Sequence, residues 1–405
     1  MLKTSVSLLA LFASINAVAA SNTPPTGTIP NQYIVRLNMD LAQQRLGLSR
    51  VEQVAQSLLG TLGAGQIQHV YQHALNGFSV RMTPLQAKLL AALPIVEAIE
   101  QDQWLSISAT QANPPYGLDR IDQASLPLNN TYNYADSAGQ GVHVYILDTG
   151  LRATHSDFIG RVGTGRNFAP NSSSLFNSST DPANTTDCQG HGTHVAGTAV
   201  GTQYGVAKKA IVHAVRVLGC DGSGSNSGVI AGVDWVVANK QLPAVANMSL
   251  GGSASTALDD AVKRATAAGI TFVVAAGNDN TNACNGSPNR VPEAVTVGAS
   301  TKTDSRASYS NFGTCLDLFA PGDATLSAGH NADNGTATLS GTSMASPHVA
   351  GAAALFLSAN PSATPAQVAN ALVTQASVNK VTSAGTGSVN KLLNVTGLGG
   401  AVSTT

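Results

Sequence analysis

Short apolar segments alternate with longer segments of helical periodicity through the last two-thirds of the chain. Strands are predicted at 142–147, 211–218, 245–250, 271–275, 294–297 and 316–319. Helices are predicted at 193–200, 227–239, 257–268 and 342–357. Such alternation is typical of a mostly parallel central sheet with helices on both faces, a three-layer α/β/α fold. Its functional groups lie in loops beyond the strand ends.

The N-terminal quarter has a different pattern. Alternating polar and apolar positions predict strands at 32–37, 78–82 and 95–99, and helical spacing predicts helices at 41–62 and 84–93. These elements make a small two-layer α+β unit. A break rich in Ala, Asn and Pro at 109–115 separates it from the larger α/β domain.

Composition excludes several classes of protein. The chain has 405 residues, of which 43% are hydrophobic and 11% charged, and its formal net charge is -1. A chain this apolar can bury a large core and is not intrinsically disordered. The near-zero charge argues against a polybasic surface for nucleic acid or anionic lipid. We therefore expect no nucleic-acid or membrane partner. We also expect a monomer.

The first residues are typical of an export signal. Lys3 precedes a short apolar run at 5–15, and Ala17-Val18-Ala19 is a small-residue cleavage pattern, which predicts a signal peptide at 1–20. Export would place the four cysteines in an oxidising compartment, where they could pair in three ways. We expect a secreted protein.

Three separate segments each supply one member of an acyl-transfer triad. They are Asp148 in V-Y-I-L-D-T-G, His191 in G-H-G-T-H-V-A-G-T and Ser343 in G-T-S-M-A-S-P-H. An aspartate, a histidine and a serine together can turn a weak hydroxyl into a nucleophile. Taken singly, Asp148 could cap a turn, Ser343 could cap a helix, and His191 with His194 could ligate a metal.

Asn278 is a candidate for stabilising negative charge. It follows an apolar strand and a glycine in V-A-A-G-N, where a side-chain amide can donate to the oxyanion of a tetrahedral intermediate. The alternative is an ordinary turn asparagine beside Asp279 and Asn280.

These motifs, with N-M-S-L-G-G, resemble those of the subtilisin-like serine proteases, and most closely the secreted proteinase K-type branch. The resemblance covers about 116–395, and the order Asp, His, Ser is the order of that family. It implies a secreted serine endopeptidase of broad specificity with Asp148, His191 and Ser343 as triad and Asn278 as oxyanion donor. A catalytically silent relative that only binds peptides is the alternative.

The resemblance also implies a role for the N-terminal unit. It resembles the inhibitory, folding-assisting propeptide of these enzymes, at 21–108, with the peptidase domain at 109–405 released by self-cleavage. The partners implied are polypeptide substrates and the chain's own propeptide.

The residues expected to bind substrate follow from the same resemblance. Two extended edges would flank the bound peptide, and loops beside them would form the S1 pocket: Ser223, Gly224, Ser225, Ser249, Leu250, Gly251, Gly252, Ala275, Ala276 and Gly277. Main-chain pairing to such edges is largely independent of sequence. The expected pocket walls carry no charge, which favours an apolar or aromatic P1 side chain.

Disulfides and calcium are further implications of the resemblance. It implies Cys188–Cys220 and Cys284–Cys315. It implies structural calcium at Asp317 with the carbonyls of Pro292 and Ala294, and at a second site formed by Asp119, Asp122 and Gln123. Asn129 and Thr131 replace ligands found in some relatives, so we expect the second site to be weak or absent. Asp119 and Asp122 could instead belong to an ordinary capped surface turn.

Overall fold

A computed structural model describes residues 28–63, 65–103, 108–169 and 181–398. The expected signal peptide at 1–20 and the junction at 104–107 lie outside the described residues. Within the described part of the chain, no helix has the length and apolarity needed to cross a membrane.

The N-terminal unit packs three helices on one antiparallel sheet. Its strands run in the order β2-β3-β1-β4. The elements are β1 Thr28–Leu37, α1 Met39–Leu46, α2 Val51–Leu62, β2 Gln66–Tyr71, β3 Gly77–Arg81, α3 Pro84–Ala91 and β4 Val96–Gln103. The buried core joins apolar residues of β1 and β3 to the inner faces of the helices.

Two details of this unit differ from the prediction. The single helix predicted at 41–62 is wrong, because Gly47 has a left-handed φ of 70° and ends α1 four residues before α2 begins. Strand β2 was not predicted, since its burial is irregular along Gln66–Tyr71 and no clean alternation marks it.

The larger domain is built on a nine-stranded sheet in the order β18-β19-β15-β14-β12-β10-β7-β9-β8, in which only β18 and β19 pair antiparallel. The strands are β5 Ser108–Ala112, β6 Thr131–Ala135, β7 His143–Asp148, β8 Arg166–Asn167, β9 Ile211–Arg216, β10 Ala244–Met248, β11 Gly252–Ser253, β12 Ile270–Ala275, β13 Gly286–Ser287, β14 Val295–Ser300, β15 Leu318–Pro321, β16 Thr325–Ala328, β17 Thr336–Leu339, β18 Ser377–Val378 and β19 Lys391–Leu392.

Helices cover both faces of this sheet. They are α4 Tyr116–Ile121, α5 His191–Val200, α6 Asn226–Asn239, α7 Thr256–Ala267, α8 Thr342–Ala359 and α9 Pro365–Gln375. Along β7, Val144 and Ile146 face the core that includes α5 and α8, whereas Tyr145 and Leu147 face the core under α6 and α7. This alternation between two buried faces produces the three layers and confirms the predicted α/β class.

The common direction of the parallel strands determines where the candidate site residues lie. Because β7, β10 and β12 run in the same direction, their carboxyl ends lie along one edge of the sheet. Asp148 ends β7, Ser249 follows β10, and Asn278 comes shortly after β12. The N-termini of α5 and α8 carry His191 and Ser343.

Candidate active site

Asp148 and His191 meet at the carboxyl edge of the sheet. Asp148 is fully buried, and its Oδ1 lies 2.7 Å from His191 Nδ1. The backbone N–H of Thr149 donates to the same carboxylate oxygen at 2.7 Å. Because the carboxylate holds Nδ1, the ring nitrogen left to exchange a proton is Nε2.

Gly190 is required where α5 begins. Its φ is 109°, and a Cβ at this position would lie 2.4 Å from Nδ1 of His330. Both the backbone conformation and the close approach therefore exclude a side chain. His191 is the first residue of α5, which begins two residues before the start predicted at 193.

The surroundings of His191 favour its charged form. Burial opposes the imidazolium, but the negative charge of Asp148, the hydrogen bond to it and the further charge of Asp187 outweigh burial, so the pKa of His191 is raised. A raised pKa makes the imidazole a better acceptor for the proton of a hydroxyl.

Ser343 lies in the first turn of α8. Its Oγ donates to the carbonyl oxygen of Ser249 at 3.2 Å, and Ser249 Oγ donates to the carbonyl oxygen of Ser343 at 2.8 Å. A hydroxyl has one proton, so in this conformation the proton of Ser343 points to Ser249 rather than to His191. Catalytic hydrogen bonds are often long or poorly aligned without substrate, and a rotation about χ1 of Ser343 is the motion that would redirect the proton.

The orientation of the Asn278 amide is fixed by its neighbour. Thr342 donates to Asn278 Oδ1 from its backbone N–H at 2.8 Å and from its hydroxyl at 3.0 Å. Since both donors require an acceptor, the oxygen is assigned to that side and the NH₂ group to the other. The Thr342 hydroxyl also accepts from the N–H of Gly277 at 3.1 Å. Asn278 thus presents an N–H donor outward, as an oxyanion requires.

Two cavities lie on either side of Leu250–Gly252. One, of about 550 Å³, is bordered by Asn278 and Ser343, and the other, of about 410 Å³, by His191 and Ser249. Residues predicted to bind substrate line both cavities. The first is lined by Leu250, Gly251, Gly252, Ala275 and Gly277. The second is lined by Ser223, Gly224, Ser225, Ser249, Leu250, Gly251 and Gly252.

The cavity beside Ser343 differs in two details from the pocket expected from the sequence. Ala276 is fully buried and does not line it, because this residue packs inward with Ala283 and Phe319. The walls are not free of charge: among the described residues that line the cavity, Asp279 alone is charged. The sequence grouped Asp279 with a turn and gave no reason to place it at a pocket.

A larger cavity lies elsewhere. It measures about 790 Å³ and is bordered by Leu242, Lys263, Glu293 and Thr364. Leu242 precedes β10 and Glu293 precedes β14, so this cavity lies at the edge of the sheet opposite Asp148 and Asn278, and size alone does not identify the site of chemistry.

The structure joins Cys188 to Cys220 and Cys284 to Cys315, as the resemblance implies. The first disulfide links the loop before His191 to the segment before Ser223. It therefore ties the histidine to one of the expected substrate edges.

Several residues of the site were missed by sequence reasoning. They are Thr149, Asp187, Asn247 and Thr342, and all of them make hydrogen bonds to residues distant in sequence. Thr342 had a signal, since it immediately precedes Ser343 in G-T-S-M. Asp187 had none, because it lies in a polar stretch of Asp, Asn and Thr residues.

Known protein families match both parts of the chain. Residues 139–399 match the profile of the Subtilase family, and residues 32–108 match that of Peptidase inhibitor I9. The chain is 50% identical over 377 residues to the extracellular serine proteinase of Thermus sp. (strain Rt41A), covering 90% of this chain and 89% of that one. It is 39% identical over 406 residues to the subtilisin-like serine protease Pen c 1 of Penicillium citrinum, covering 97% of each.

A solved structure is similar as well. This chain aligns to the crystal structure of a cold adapted subtilisin-like serine proteinase with a TM-score of 0.65 and 53% sequence identity. The alignment covers 70% of this chain and 99% of the chain in that structure. The chain belongs to the subtilase family. It is a serine endopeptidase with a subtilisin-like fold, preceded by an I9-type propeptide domain, as the motifs predicted.

Proposed function

We propose that this chain is a secreted endopeptidase made as a zymogen, with Asp148, His191 and Ser343 as its triad and Asn278 as an oxyanion donor. The observation that carries the proposal is the 2.7 Å contact between Asp148 Oδ1 and His191 Nδ1, at the edge where Ser343 opens onto a cavity. The outward NH₂ group of Asn278 supports it.

The chemistry follows from these positions. Ser343 Oγ attacks the scissile carbonyl carbon while His191 Nε2 takes the hydroxyl proton, and Asp148 stabilises the imidazolium. Asn278 and the backbone N–H of Ser343 donate to the oxyanion. His191 then returns the proton to the leaving amine, and water repeats the sequence on the acyl-enzyme.

Substrate preference follows from the cavity beside Ser343. Its walls include Leu250, Ala275 and the glycines around them, which suits an apolar or aromatic P1 side chain. Asp279 at its border adds a weaker attraction for a basic side chain. The remaining contacts would be main-chain pairing along Ser223–Ser225 and Ser249–Gly251, so specificity is broad.

The N-terminal region fits a cleaved leader. Residues 1–20 would direct export, 21–108 would assist folding and inhibit the enzyme, and 109–405 would be the mature peptidase. The match of residues 32–108 to Peptidase inhibitor I9 supports this division, and so does the extracellular relative.

Self-processing tests the triad. We expect wild-type protein secreted by a protease-deficient host to begin near Ala109 and Ser343→Ala to retain its propeptide, because the variant lacks the nucleophile. N-terminal sequencing of the secreted material checks this. Ser340→Ala is the control, since this exposed hydroxyl accepts a hydrogen bond from the backbone N–H of Ala324 and lies outside the proposed triad, and it should mature normally. Maturation of Ser343→Ala at the wild-type rate would contradict the proposal.

Structural calcium is the second part of the proposal, since subtilases generally bind it. Within the described residues no group of three His, Cys, Asp or Glu side chains is arranged to hold a metal, so backbone and amide oxygens would have to contribute. Asp317 is suited to such a site. Burial raises its pKa to about 6, and its carboxylate accepts a hydrogen bond from the backbone N–H of Thr296 at 2.8 Å. Pro292 and Ala294 precede β14, which pairs with the strand after Asp317.

The second set of predicted ligands fits in part. Asp122 Oδ1 and Gln123 Oε1 are buried without a hydrogen-bond partner among the described residues, as oxygens awaiting a cation would be. Both oxygens of Asp119 already accept backbone N–H groups, from Asn129 at 3.1 Å and Asn130 at 2.9 Å. Asp119 is therefore the weakest member of this set.

Thermal unfolding tests calcium. We expect a chelator to lower the Tm by about 5–10 °C, because a ligand bound only by the folded state stabilises it. Asp317→Asn should remove much of this difference, and Asp260→Asn, on the exposed face of α7, should preserve it. An equal Tm in chelator and in calcium would contradict the proposal.

A further inference from the structure

Asp187 is a buried carboxylate whose two oxygens are fully used. It is 6% exposed and accepts five hydrogen bonds. Its Oδ1 accepts from the hydroxyl of Thr149 at 2.9 Å and from the backbone N–H groups of Gln189 at 3.0 Å and Gly190 at 2.8 Å. Its Oδ2 accepts from the N–H of Thr193 at 2.9 Å and from its hydroxyl at 2.6 Å.

These bonds join the two segments that carry Asp148 and His191. Thr149 follows Asp148 directly, and its hydroxyl, while donating to Asp187, accepts from the N–H of Gly192 at 2.9 Å. The loop after β7 and the first turn of α5 are therefore held on either side of one carboxylate. A change at Asp187 would alter the approach of His191 to Asp148 without touching either side chain.

Asp187 also supplies charge. Burial alone would raise its pKa, but the hydrogen bonds from Thr193, Gly190 and Gln189 outweigh burial, so its pKa is lowered and the group stays ionised. Its charge is the smaller of two that raise the pKa of His191, after that of Asp148.

We propose that Asp187 is a positioning residue of this active site, which aligns the Asp148 loop with His191 and contributes a second negative charge to the imidazolium. The inference rests on the proposed triad. It accounts for a buried, fully bonded carboxylate that touches no substrate cavity and that the triad alone leaves without a role.

Other ionisable groups also face this region. His194, one turn further along α5, is neutral at working pH because burial lowers its pKa to about 4. His330, in the loop after β16, lies against Gly190. Arg216 of β9 donates to Cys188 Sγ at 3.1 Å, beside Asp187, and partly offsets the negative charge. The charge of Asp187 should therefore act on His191 in attenuated form.

The test is the pH dependence of kcat/KM of the mature enzyme on a short peptide amide. Asp187→Asn removes the charge, so the pKa of His191 should fall and the acid limb should move to lower pH by on the order of 0.5 unit. Because NH₂ cannot accept from the Thr193 N–H, kcat should also fall, about 10- to 100-fold, with KM within about threefold. A lower kcat with an unmoved limb would overturn the charge role, and unchanged kcat would overturn the positioning role.

Thr149→Val separates geometry from charge. It breaks the bridge from Asp187 to Gly192 but leaves the carboxylate ionised, so kcat should fall about tenfold with the limb in place. If Asp187→Asn fails to fold, Thr149→Val alone tests the inference. A wild-type kcat in Thr149→Val would then overturn it. Asp260→Asn, an exposed charge on α7, should leave kcat and the limb unchanged.

Asp148→Asn in the same series distinguishes the two proposals. If it keeps wild-type activity, the triad itself is wrong. If it loses activity by about 10⁴, as such changes do in triad proteases, while Asp187→Asn behaves as wild type, only the present inference fails.

Discussion

Asp148, Asp187 and His191 make one side of the active site charged, whereas the buried polar side chains that hold Ser343 in place are neutral. On the neutral side, Ser346 Oγ donates to Asn247 Oδ1 at 2.7 Å, and Asn247 Nδ2 donates to Ser249 Oγ at 2.9 Å. Ser249 Oγ in turn donates to the carbonyl of Ser343 at 2.8 Å. We call these the histidine side and the serine side.

The difference matches the charges that the reaction creates. In the proposed mechanism a positive imidazolium would form on the histidine side, where buried carboxylates would stabilise it. A negative oxyanion would form on the serine side, where a buried carboxylate would oppose it. Hydrogen bonds between hydroxyls and amides can fix the first turn of α8 without adding charge. The comparison therefore predicts that changes on the serine side alter rate and stability but leave the acid limb of the pH profile in place.

The largest effect is expected for Asn278→Ala. Loss of one oxyanion donor should lower kcat by about 10²–10³, a magnitude taken from a member of this same family, with little change in KM. The acid limb should not move, because no charge near His191 is lost. Kinetics across pH check both points, with exposed Asn239→Ala as control. A limb shift as large as that of Asp187→Asn would break the comparison.

An intermediate effect is expected for Asn247→Ala. The hydroxyls of Ser346 and Ser249 would both lose a buried partner, which should lower the free energy of unfolding by about 1–3 kcal/mol. We also expect kcat to fall by about tenfold, since the first turn of α8 is less firmly held. Urea denaturation and kinetics measure the two effects. Ser346→Ala, at the outer end of the chain of bonds, should have a smaller effect on both, and equal effects would argue against a relay toward Ser343.

The smallest effect is expected for Asp279→Asn. This carboxylate is exposed at the cavity beside Ser343, so its influence on a P1 side chain is screened. The ratio of kcat/KM for P1 arginine to P1 phenylalanine peptides should fall about two- to threefold in low salt and little at high salt. If the substitution does not change this ratio, Asp279 has no influence on P1 preference, and the cavity acts as the uncharged pocket expected from the sequence.

The motifs predicted much of the fold because local signals were strong. The strands that end at Asp148 and precede Asn278 are continuous apolar runs, which is how buried parallel strands are composed. Helix α8 begins at Thr342 as predicted, and α5 begins at His191, two residues before the predicted start. Helix α9 was not predicted, although Thr364 and Gln367 form a capping box with Pro365 at the first helical position.

What the sequence could not supply was long-range pairing among polar residues. Asn247 lies 99 residues from Ser346, and Thr149 lies 38 from Asp187, so nothing local identifies them as partners. Asp187 looks like its polar neighbours until the fold surrounds it. A buried carboxylate is recognised by its donors, and those are known only once the chain is folded.

Leu250–Gly252 forms a ridge between the two cavities. A peptide lying along this ridge in extended form turns successive side chains to opposite faces, so neighbouring residues cannot enter the same cavity. Such a peptide must first be released from any helix or sheet of its own. Digestion of a folded protein by this enzyme would then report how often a segment of that protein opens, and rigid proteins would survive beside loose ones of similar composition.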